Sequence, residues 1–286
     1  MSKNIYEELS IERKALQEQG LVPKWYTTSG LQMYKEKYEY EVNGRSVRGQ
    51  FERIANTAAS YLKNIGMEET AKQKFFDMLW DGWLSPSTPV LANMGTKRGL
   101  PVSCSGGFVS DSIDGFYSAR HETAMLTKYG FGTSAYLGAI RPRGSKISVG
   151  GKASGVLPVF KGFVQDMRDV AQGTARRGAW AGYIEIDHPD FDEIADYIVS
   201  NPDDANIGWL IKDSFIEGLD AGHSDSIRRF QKALKMKMVT GKGYFCFIDK
   251  VNRKRPKQYQ INNLDVKASN LCLTGDTMIF ISKTKD

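Results

Sequence analysis

Residues 85–93 read Ser85-Pro86-Ser87-Thr88-Pro89-Val90-Leu91-Ala92-Asn93, and the character of the sequence changes at this stretch. Its prolines mark a boundary, because proline has no backbone N–H and ends a helix. Before it, apolar residues recur at helical spacing, most clearly at Phe76, Leu79, Trp80 and Trp83. We therefore predict a helical N-terminal domain over residues 1–84, with this apolar stripe facing its core.

After residue 85, short apolar runs alternate with helical patterns. Three runs are typical of strands, and the last is predicted to be buried: Phe108-Val109, Ala135–Ile140 and Tyr244–Ile248. Two stripes at helical spacing lie between them: Phe191, Ile194, Ala195 and Ile198, then Ile227, Phe230 and Leu234, a helix that Gly241 can end. Ser214 and Glu217 have the spacing of a capping box. Alternating strands and helices predict an α/β domain with parallel strand pairing.

Composition narrows the class of protein. The 286 residues are 41% hydrophobic and carry a formal net charge of +6, so the chain can bury a substantial core. We find no apolar run of the roughly 18 residues that a membrane span needs, and no signal peptide. These features predict a cytoplasmic protein without a membrane partner. The densest basic stretch, residues 250–257, lacks a nucleic-acid-binding motif and is interpreted as a solvated loop.

The sulfur and imidazole groups are scattered along the chain. Its cysteines are Cys104, Cys246 and Cys272, and its three histidines are equally dispersed. Because zinc sites use closely spaced ligands, no metal site is predicted. Cys246 lies within an aromatic-rich run, a position that favours core packing.

Two glycine-rich loops could bring backbone amides close to a phosphate. The first, Gly144–Lys152, contains two lysines, and the second, Gln172–Gly178, contains Arg176 and Arg177. The first is not a P-loop, because Ala153 stands where a serine or threonine is required. Taken alone, each loop could equally be a plain surface turn.

Several short motifs follow one another in a defined order: Pro86–Asn93, Ser103-Cys104, Asp111–Asp114, Ile140–Ser145, Gln172–Gly178 and Ser269–Leu273. In this order and spacing, residues from about 20 to 273 resemble the large, catalytic subunit of class I ribonucleotide reductases. The resemblance implies an α/β fold in which a helical domain precedes a ten-stranded α/β barrel, with residues 85–271 as roughly its first half. It does not include the ATP-cone module of many relatives, so control of overall activity by that module is not expected.

The implied reaction replaces the 2′-hydroxyl of a ribonucleoside diphosphate with hydrogen. Cys104 matches the first member of a redox cysteine pair, with a buried structural cysteine as the alternative. Cys272 matches the cysteine that carries a thiyl radical, and Asn270 the asparagine that hydrogen-bonds the ribose hydroxyls. Thr88 and Ser103 match substrate contacts, with turn capping as the alternative. Sulfur suits both cysteine roles because it cycles between thiol and disulfide and supports one-electron chemistry.

A second nucleotide site is implied near the first glycine-rich loop. Four positions match the site where a dNTP or ATP effector selects the base to be reduced: Asp111, Ser112, Ile113 and Arg141. Gln172 and either Arg176 or Arg177 match residues that reach the substrate base and relay this choice. Ser148 stands where the family has a basic residue, which leaves the effector phosphate contacts open.

The sequence departs from the family after Cys272. Thr274 replaces the family's general-base glutamate, and residues 272–286 resemble the start of an intein. One interpretation is a gene divided within its active-site codons, whose two chains assemble without ligation. The alternative is a split-intein precursor in which Cys272 is the splicing nucleophile. A third hypothesis is a nucleotide-binding regulatory module without chemistry.

The resemblance also implies partners for the reaction. The chain itself is expected to hold no cofactor. A complementary C-terminal chain would complete the barrel, and a metal-containing small subunit would supply the radical. Thioredoxin or glutaredoxin would reduce the cysteines again, and a second large subunit would form a homodimer. No nucleic-acid partner is expected.

Overall fold

The computed structural model describes three stretches of the chain: residues 5–148, 150–170 and 179–269. These divide into two compact units. The first unit contains residues 5–103, 125–131 and Val170, and the second contains the described residues of 104–124, 132–169 and 179–269. The first unit therefore continues to Ser103, past the predicted boundary at residue 84.

The first unit is helical, as predicted. Its N-terminal part contains α1 (Ile5–Glu18), α2 (Thr28–Lys37), α3 (Val47–Ser60), α4 (Glu68–Trp80) and α5 (Thr88–Asn93). The side chains of Thr27 and Ser46 cap α2 and α3, each accepting a backbone N–H at 3.0 Å. Helix α5 contributes Ala92 to the buried core of this unit, together with Leu31 and Phe51. Helix α5 packs with the helices that precede it, which is why this unit extends past residue 84.

The predicted apolar stripe near the end of α4 is correct for three of its four members. Leu79 is buried, and Phe76 and Trp80 pack against the same core with their rings stacked 5.5 Å apart. Trp83 is 84% exposed, so its predicted inward position was wrong. The helix ends at Trp80, and Gly82 takes a left-handed φ of 79°, which turns the chain away before another helical turn can form.

The second unit contains a parallel sheet whose strands are paired in chain order. The strands are β1 (Cys104–Phe108), β2 (Gly132–Tyr136), β3 (Trp180–Glu185), β4 (Asn206–Ile211) and β5 (Tyr244–Phe247). The helices that begin in this unit are α6 (Ile113–Lys128), α7 (Val156–Asp169), α8 (Phe191–Ser200), α9 (Asp213–Asp220), α10 (Ser224–Thr240), α11 (Ile248–Arg253) and α12 (Lys257–Ile261). This arrangement confirms the prediction of an α/β domain with parallel pairing.

The sheet has two different faces, because successive side chains of a strand point to opposite sides. On the helix face, strand residues pack with α7, α8 and α10 in one apolar core, and they include Ala135, Trp180, Ile184, Ile207, Trp209 and Ile211. The register places another set on the opposite face: Cys104, Ser134, Tyr136, Tyr183, Glu185, Leu210 and Cys246. The opposite face has its own smaller cluster, which includes Val266 and Ala268.

The helix stripes of the second unit were predicted with mixed success. The first stripe lies on α8 with all four members buried. The second lies on α10, which Gly241 ends at φ 71° as predicted, but Ala233 and Met236 form its buried face while Leu234 is 39% exposed. The predicted capping box was wrong, because α9 already begins at Asp213.

Each predicted strand run overlaps an observed strand, but the predicted ends differ from the observed ones. Phe108 ends β1, and Ala135 lies in β2, which begins earlier than predicted, at Gly132. The burial predicted for β5 was wrong for Tyr244 and Phe247, which are 40% and 47% exposed. This strand has a pairing partner on only one side in the described sheet. In the described stretches, no helix combines the length and apolar character needed to cross a membrane.

Candidate functional site

A cavity of about 520 Å³ lies in the second unit, and the four predicted effector residues line it. Asp111, Ser112 and Ile113 stand at the beginning of α6, where the Ser112 side chain accepts the backbone N–H of Gly115 at 3.0 Å. Arg141 lines the same cavity from the chain that follows β2. Positions separated by about 30 residues in the sequence are thus brought to one concave surface.

The charged wall of this cavity is organised by an ion pair. Arg141 Nε donates to Asp111 Oδ2 at 2.6 Å, and Arg141 Nη1 donates to the carbonyl of Lys146 at 3.3 Å. Both ionic side chains remain partly exposed, Asp111 at 26% and Arg141 at 39%. Charged groups that are held in place but still accessible can exchange partners with a polar ligand.

The described residues of the first glycine-rich loop contribute to the cavity lining, and the two ends of the loop are paired. Lys146 and Lys152 are paired in an antiparallel bridge, and the Gly144 N–H donates to the Ala153 carbonyl at 2.9 Å. Gly144 has a φ of 86°, a conformation that favours glycine. Lys152 and Ser148 line the cavity. The loop therefore presents one cation and one hydroxyl to the cavity, at the place where the sequence left the effector phosphate contacts open.

The apolar side of the cavity comes from α6 and α7. Phe116, Tyr117, Pro158 and Val159 line it, and Phe116 and Val159 also pack against the core of the helix face. Sequence reasoning missed these residues. Ile113 and Tyr117 are spaced i, i+4 on α6, a signal for one helix surface, but the residues on α7 could not be assigned to that surface without the fold.

One further cation, Arg120, is fixed between these helices. Its guanidinium makes two hydrogen bonds of 2.7 Å to the carboxylate of Asp166, one to each oxygen. These hydrogen bonds raise the pKa of Arg120. Gly162 makes room for it, since a Cβ there would lie 3.0 Å from the guanidinium. Arg120 lines the cavity and was also missed from the sequence.

Cys104 is the first residue of β1 and is half-buried. It shares the opposite face of the sheet with a polar group in which Tyr136 donates to Glu185 Oε1 at 2.8 Å. Burial and the Glu185 carboxylate raise the pKa of Tyr136, so it remains a neutral donor. Lys212 Nζ lies 3.6 Å from the same Glu185 oxygen. The predicted redox cysteine thus lies on the face of the sheet that carries polar side chains.

The last described residues pack on this opposite face. Asn252 and Val266 exchange two hydrogen bonds, of 2.7 and 3.0 Å, through the Asn252 side chain and the Val266 backbone. The hydroxyls of Tyr183 and Ser269 are 3.4 Å apart. The chain segment that leads toward Asn270 is therefore tied to the face that holds Cys104.

Cys246 lies on the same face and is 9% exposed. It belongs to the small apolar cluster of this face, and desolvation raises the pKa of its thiol. The prediction of core packing for Cys246 is confirmed.

The other predicted site residues are distributed as follows. Thr88 begins α5 in the first unit and is exposed, and Ser103 is the half-buried residue just before Cys104. Five predicted residues lie outside the described stretches: Gln172, Arg176, Arg177, Asn270 and Cys272. Within those stretches no group of three or more His, Cys, Asp or Glu side chains is placed to hold a metal ion.

Comparison with known proteins relates both units to one family. Residues 24–99 match the all-alpha domain of ribonucleotide reductase, and residues 102–229 match its barrel domain. The alpha subunit of the Actinobacillus ureae class Id ribonucleotide reductase has a similar structure, with a TM-score of 0.76 and 32% sequence identity over 87% of this chain.

Two curated relatives also carry the name of this family. The ribonucleoside-diphosphate reductase large subunit of Invertebrate iridescent virus 6 is 28% identical over 76% of this chain. The vitamin B12-dependent ribonucleoside-diphosphate reductase of Thermoplasma acidophilum is 26% identical over 77% of it. The chain spans only 25% and 33% of these two relatives, and 45% of the Actinobacillus subunit.

Proposed function

The chain belongs to the ribonucleotide reductase large-subunit family, and we propose that it supplies the effector site and part of the active site of an enzyme that reduces ribonucleoside diphosphates to deoxyribonucleoside diphosphates. The observation that supports this most strongly is the cavity lined by all four residues assigned to the effector. The resemblance to the family implied these four residues, and the fold brings them to one cavity.

The cavity suits a nucleoside triphosphate. Its volume of about 520 Å³ falls within the range of roughly 300 to 1,000 Å³ typical of ligand pockets. Asp111 offers carboxylate oxygens to sugar hydroxyls, and Arg141 and Lys152 offer cations to phosphates. The apolar wall formed by Phe116 and Tyr117 suits a base. We propose that a dNTP or ATP bound here selects which substrate base is reduced, with Gln172 and Arg176 or Arg177 as the relay.

At the proposed active site, the 2′ C–OH bond of the substrate becomes a C–H bond, and two cysteine thiols become a disulfide as water leaves. We assign Cys104 as the first of these thiols. Thr88 and Ser103 bind the substrate, Asn270 holds the ribose hydroxyls, and Cys272 carries the thiyl radical. The packing of Ser269 beside Tyr183 supports the last two assignments, since the segment reaches the face of the sheet that holds Cys104.

Calorimetric titration with dTTP and dATP tests the effector site, both on the isolated chain and on the assembled enzyme. One nucleotide should bind per chain, and Asp111→Ala should weaken binding about tenfold or more through loss of a charged hydrogen-bond acceptor. Asp220→Ala removes the same charge from an exposed position on α9 outside the cavity and should leave binding unchanged. Absence of binding in both preparations would refute the effector site.

The proposed assembly includes a complementary C-terminal chain, a second large subunit and a small subunit that supplies the radical, with thioredoxin or glutaredoxin as the reductant in the cytoplasm. The likeness to a class Id alpha subunit supports a separate radical-supplying subunit. The relative that is named as vitamin B12-dependent supports vitamin B12 as the competing radical source. Activity assays in which the small subunit and vitamin B12 are added separately decide between these two radical sources.

The tail over residues 272–286 lies outside the described stretches, and we favour non-covalent assembly over splicing. Intact-mass spectrometry of the chain co-expressed with its complement tests this choice. Two unchanged masses would support non-covalent assembly, and a single ligated product would support a split-intein precursor. Nucleotide binding without any reduction by the complete assembly would instead favour a regulatory module.

A further inference from the structure

The hydroxyl of Thr88 is held by a buried tyrosine of the first unit. Tyr38, which is 5% exposed, donates its hydroxyl proton to Thr88 Oγ1 at 3.1 Å. Tyr38 is itself fixed through its backbone, because its N–H donates to the Tyr34 carbonyl at 2.7 Å and its carbonyl accepts from Asn43 Nδ2 at 2.9 Å. The hydroxyl of the exposed Thr88 therefore accepts a hydrogen bond from a buried tyrosine whose backbone is held in place.

The short helix that begins with Thr88 is fixed by the neighbouring helix α3. With six residues, α5 is too short to be stable alone. Arg53 Nη2 and Gln50 Nε2 donate to the Leu91 carbonyl at 2.7 and 3.1 Å, and Arg53 also donates to the Met94 carbonyl. These bonds satisfy carbonyls at the end of α5 that have no partner within the helix.

Asn43 connects these two supports. It is 2% exposed, its Nδ2 donates to the Tyr38 carbonyl, and its Oδ1 accepts from Arg53 Nε at 2.8 Å. Tyr38 and Arg53 are therefore held by one buried amide side chain. This network sets both the backbone of α5 and the direction of the Thr88 hydroxyl.

In the hydrogen bond between Tyr38 and Thr88, the tyrosine hydroxyl is the donor and the threonine hydroxyl is the acceptor. A threonine hydroxyl has one proton and two lone pairs, and one lone pair is occupied by the Tyr38 proton. The Thr88 proton must then be directed elsewhere, and hydrogen bonds in series strengthen one another. A phosphate oxygen only accepts hydrogen bonds, so this arrangement prepares Thr88 as a donor to an anion.

We propose that Tyr38 is a positioning residue, which orients the Thr88 hydroxyl to donate to the substrate diphosphate. This inference rests on the proposed function, which assigns Thr88 to substrate binding. In the assembled enzyme, Tyr38→Phe keeps the ring and removes the proton. We expect the KM for the ribonucleoside diphosphate to rise about three- to tenfold, the effect of one lost hydrogen bond, with little change in kcat.

Matched variants separate positioning from a general effect on the fold. Tyr34 is also buried on α2 and, within the described structure, makes no hydrogen bond to Thr88, so Tyr34→Phe should leave KM unchanged. Thr88→Val should raise KM, and Tyr38→Phe should add nothing further in that background. Thr88→Ser should retain most of the binding while Tyr38 is present and lose it when Tyr38→Phe is added.

The possible failures are distinguishable. If Thr88→Val leaves KM unchanged, the assignment of Thr88 in the proposed function is wrong. If Thr88→Val raises KM while Tyr38→Phe does not, or if the two effects add independently, the proposed function stands and the positioning role of Tyr38 is refuted. Should Tyr38→Phe reduce the yield of folded protein, the comparison of Thr88→Ser with Thr88→Val still tests whether an oriented hydroxyl is needed. Equal KM values for those two variants would overturn the proposal.

Discussion

On the helix face of the sheet, Ile184, Ile207 and Trp209 are completely buried in one apolar core, whereas on the opposite face Tyr136 donates a hydrogen bond to Glu185. Neighbouring residues of the same strand therefore differ in their chemistry. The helix face gains stability from apolar burial. The opposite face holds Cys104 and polar side chains on the same surface. One sheet thus has a face that stabilises the fold and a face to which we assign the chemistry, and four predictions test this division.

The largest expected effect is on catalysis, from the opposite face. Cys104→Ser replaces the proposed redox sulfur with oxygen, which cannot form a disulfide, and should reduce nucleotide reduction by the assembled enzyme on the order of 1,000-fold or more. Effector binding and the urea unfolding midpoint should not change. Residual turnover near the wild-type rate would show that the opposite face does not carry the chemistry.

The largest expected effect on stability comes from the helix face. Ile184→Ala should lower the free energy of unfolding by about 2–5 kcal/mol, because it leaves a cavity in a fully buried core. Tyr183→Phe, one residue earlier and on the opposite face, should cost no more than about 1.5 kcal/mol. Urea unfolding followed by tryptophan fluorescence measures both. Equal losses would contradict the division of roles between the faces.

Gly208 tests how closely the opposite face is packed. A Cβ at this position would lie 2.2 Å from the Tyr183 ring, so Gly208→Ala must displace that ring and should cost about 1–3 kcal/mol. Gly107→Ala is the control, because its Cβ would meet the nearest atom at 3.7 Å, an ordinary contact. If the two variants unfold at the same urea concentration, the ring of Tyr183 moves without cost.

The smallest expected effect on stability comes from Asp192 of α8, in the helix layer. Hydrogen bonds from Arg228 and Lys232 lower the pKa of Asp192 from 3.8 to about 2. Its carboxylate therefore stabilises the fold above about pH 4, and this contribution is lost as the pH falls toward 2. Asp192→Asn should cost less than about 1 kcal/mol at pH 6, since the side chain is 39% exposed. Urea unfolding of both proteins measures this, and the difference in the free energy of unfolding between wild type and Asp192→Asn should be smaller at pH 3 than at pH 6.

Local patterns predicted much of this fold. The stripe on α8 was recognised because four apolar residues at helical spacing are sufficient to define one face. Trp83 was misplaced because its spacing continues the stripe of α4, while the helix has already ended at Trp80. The exposed side chains of β5 were missed because aromatic residues favour strands without specifying how many neighbours a strand has.

The candidate site was predictable where it follows motifs. Asp111, Ser112, Ile113 and Arg141 were identified in this way and do line one cavity. Glu185 and Arg120 were not, because their relevance depends on which strand or helix lies beside them. Glu185 meets Tyr136 only through the pairing of β2 with β3, and such register cannot be read from either strand alone.

The identical order of strands in the chain and in the sheet affects how the protein is made. Each strand from β2 to β5 pairs with the strand that leaves the ribosome just before it, so no strand must wait for a distant later segment. The sheet can grow one strand at a time during translation, since each new strand pairs with a strand that has already been made. At every stage the growing edge is the site where the next strand from the same chain adds.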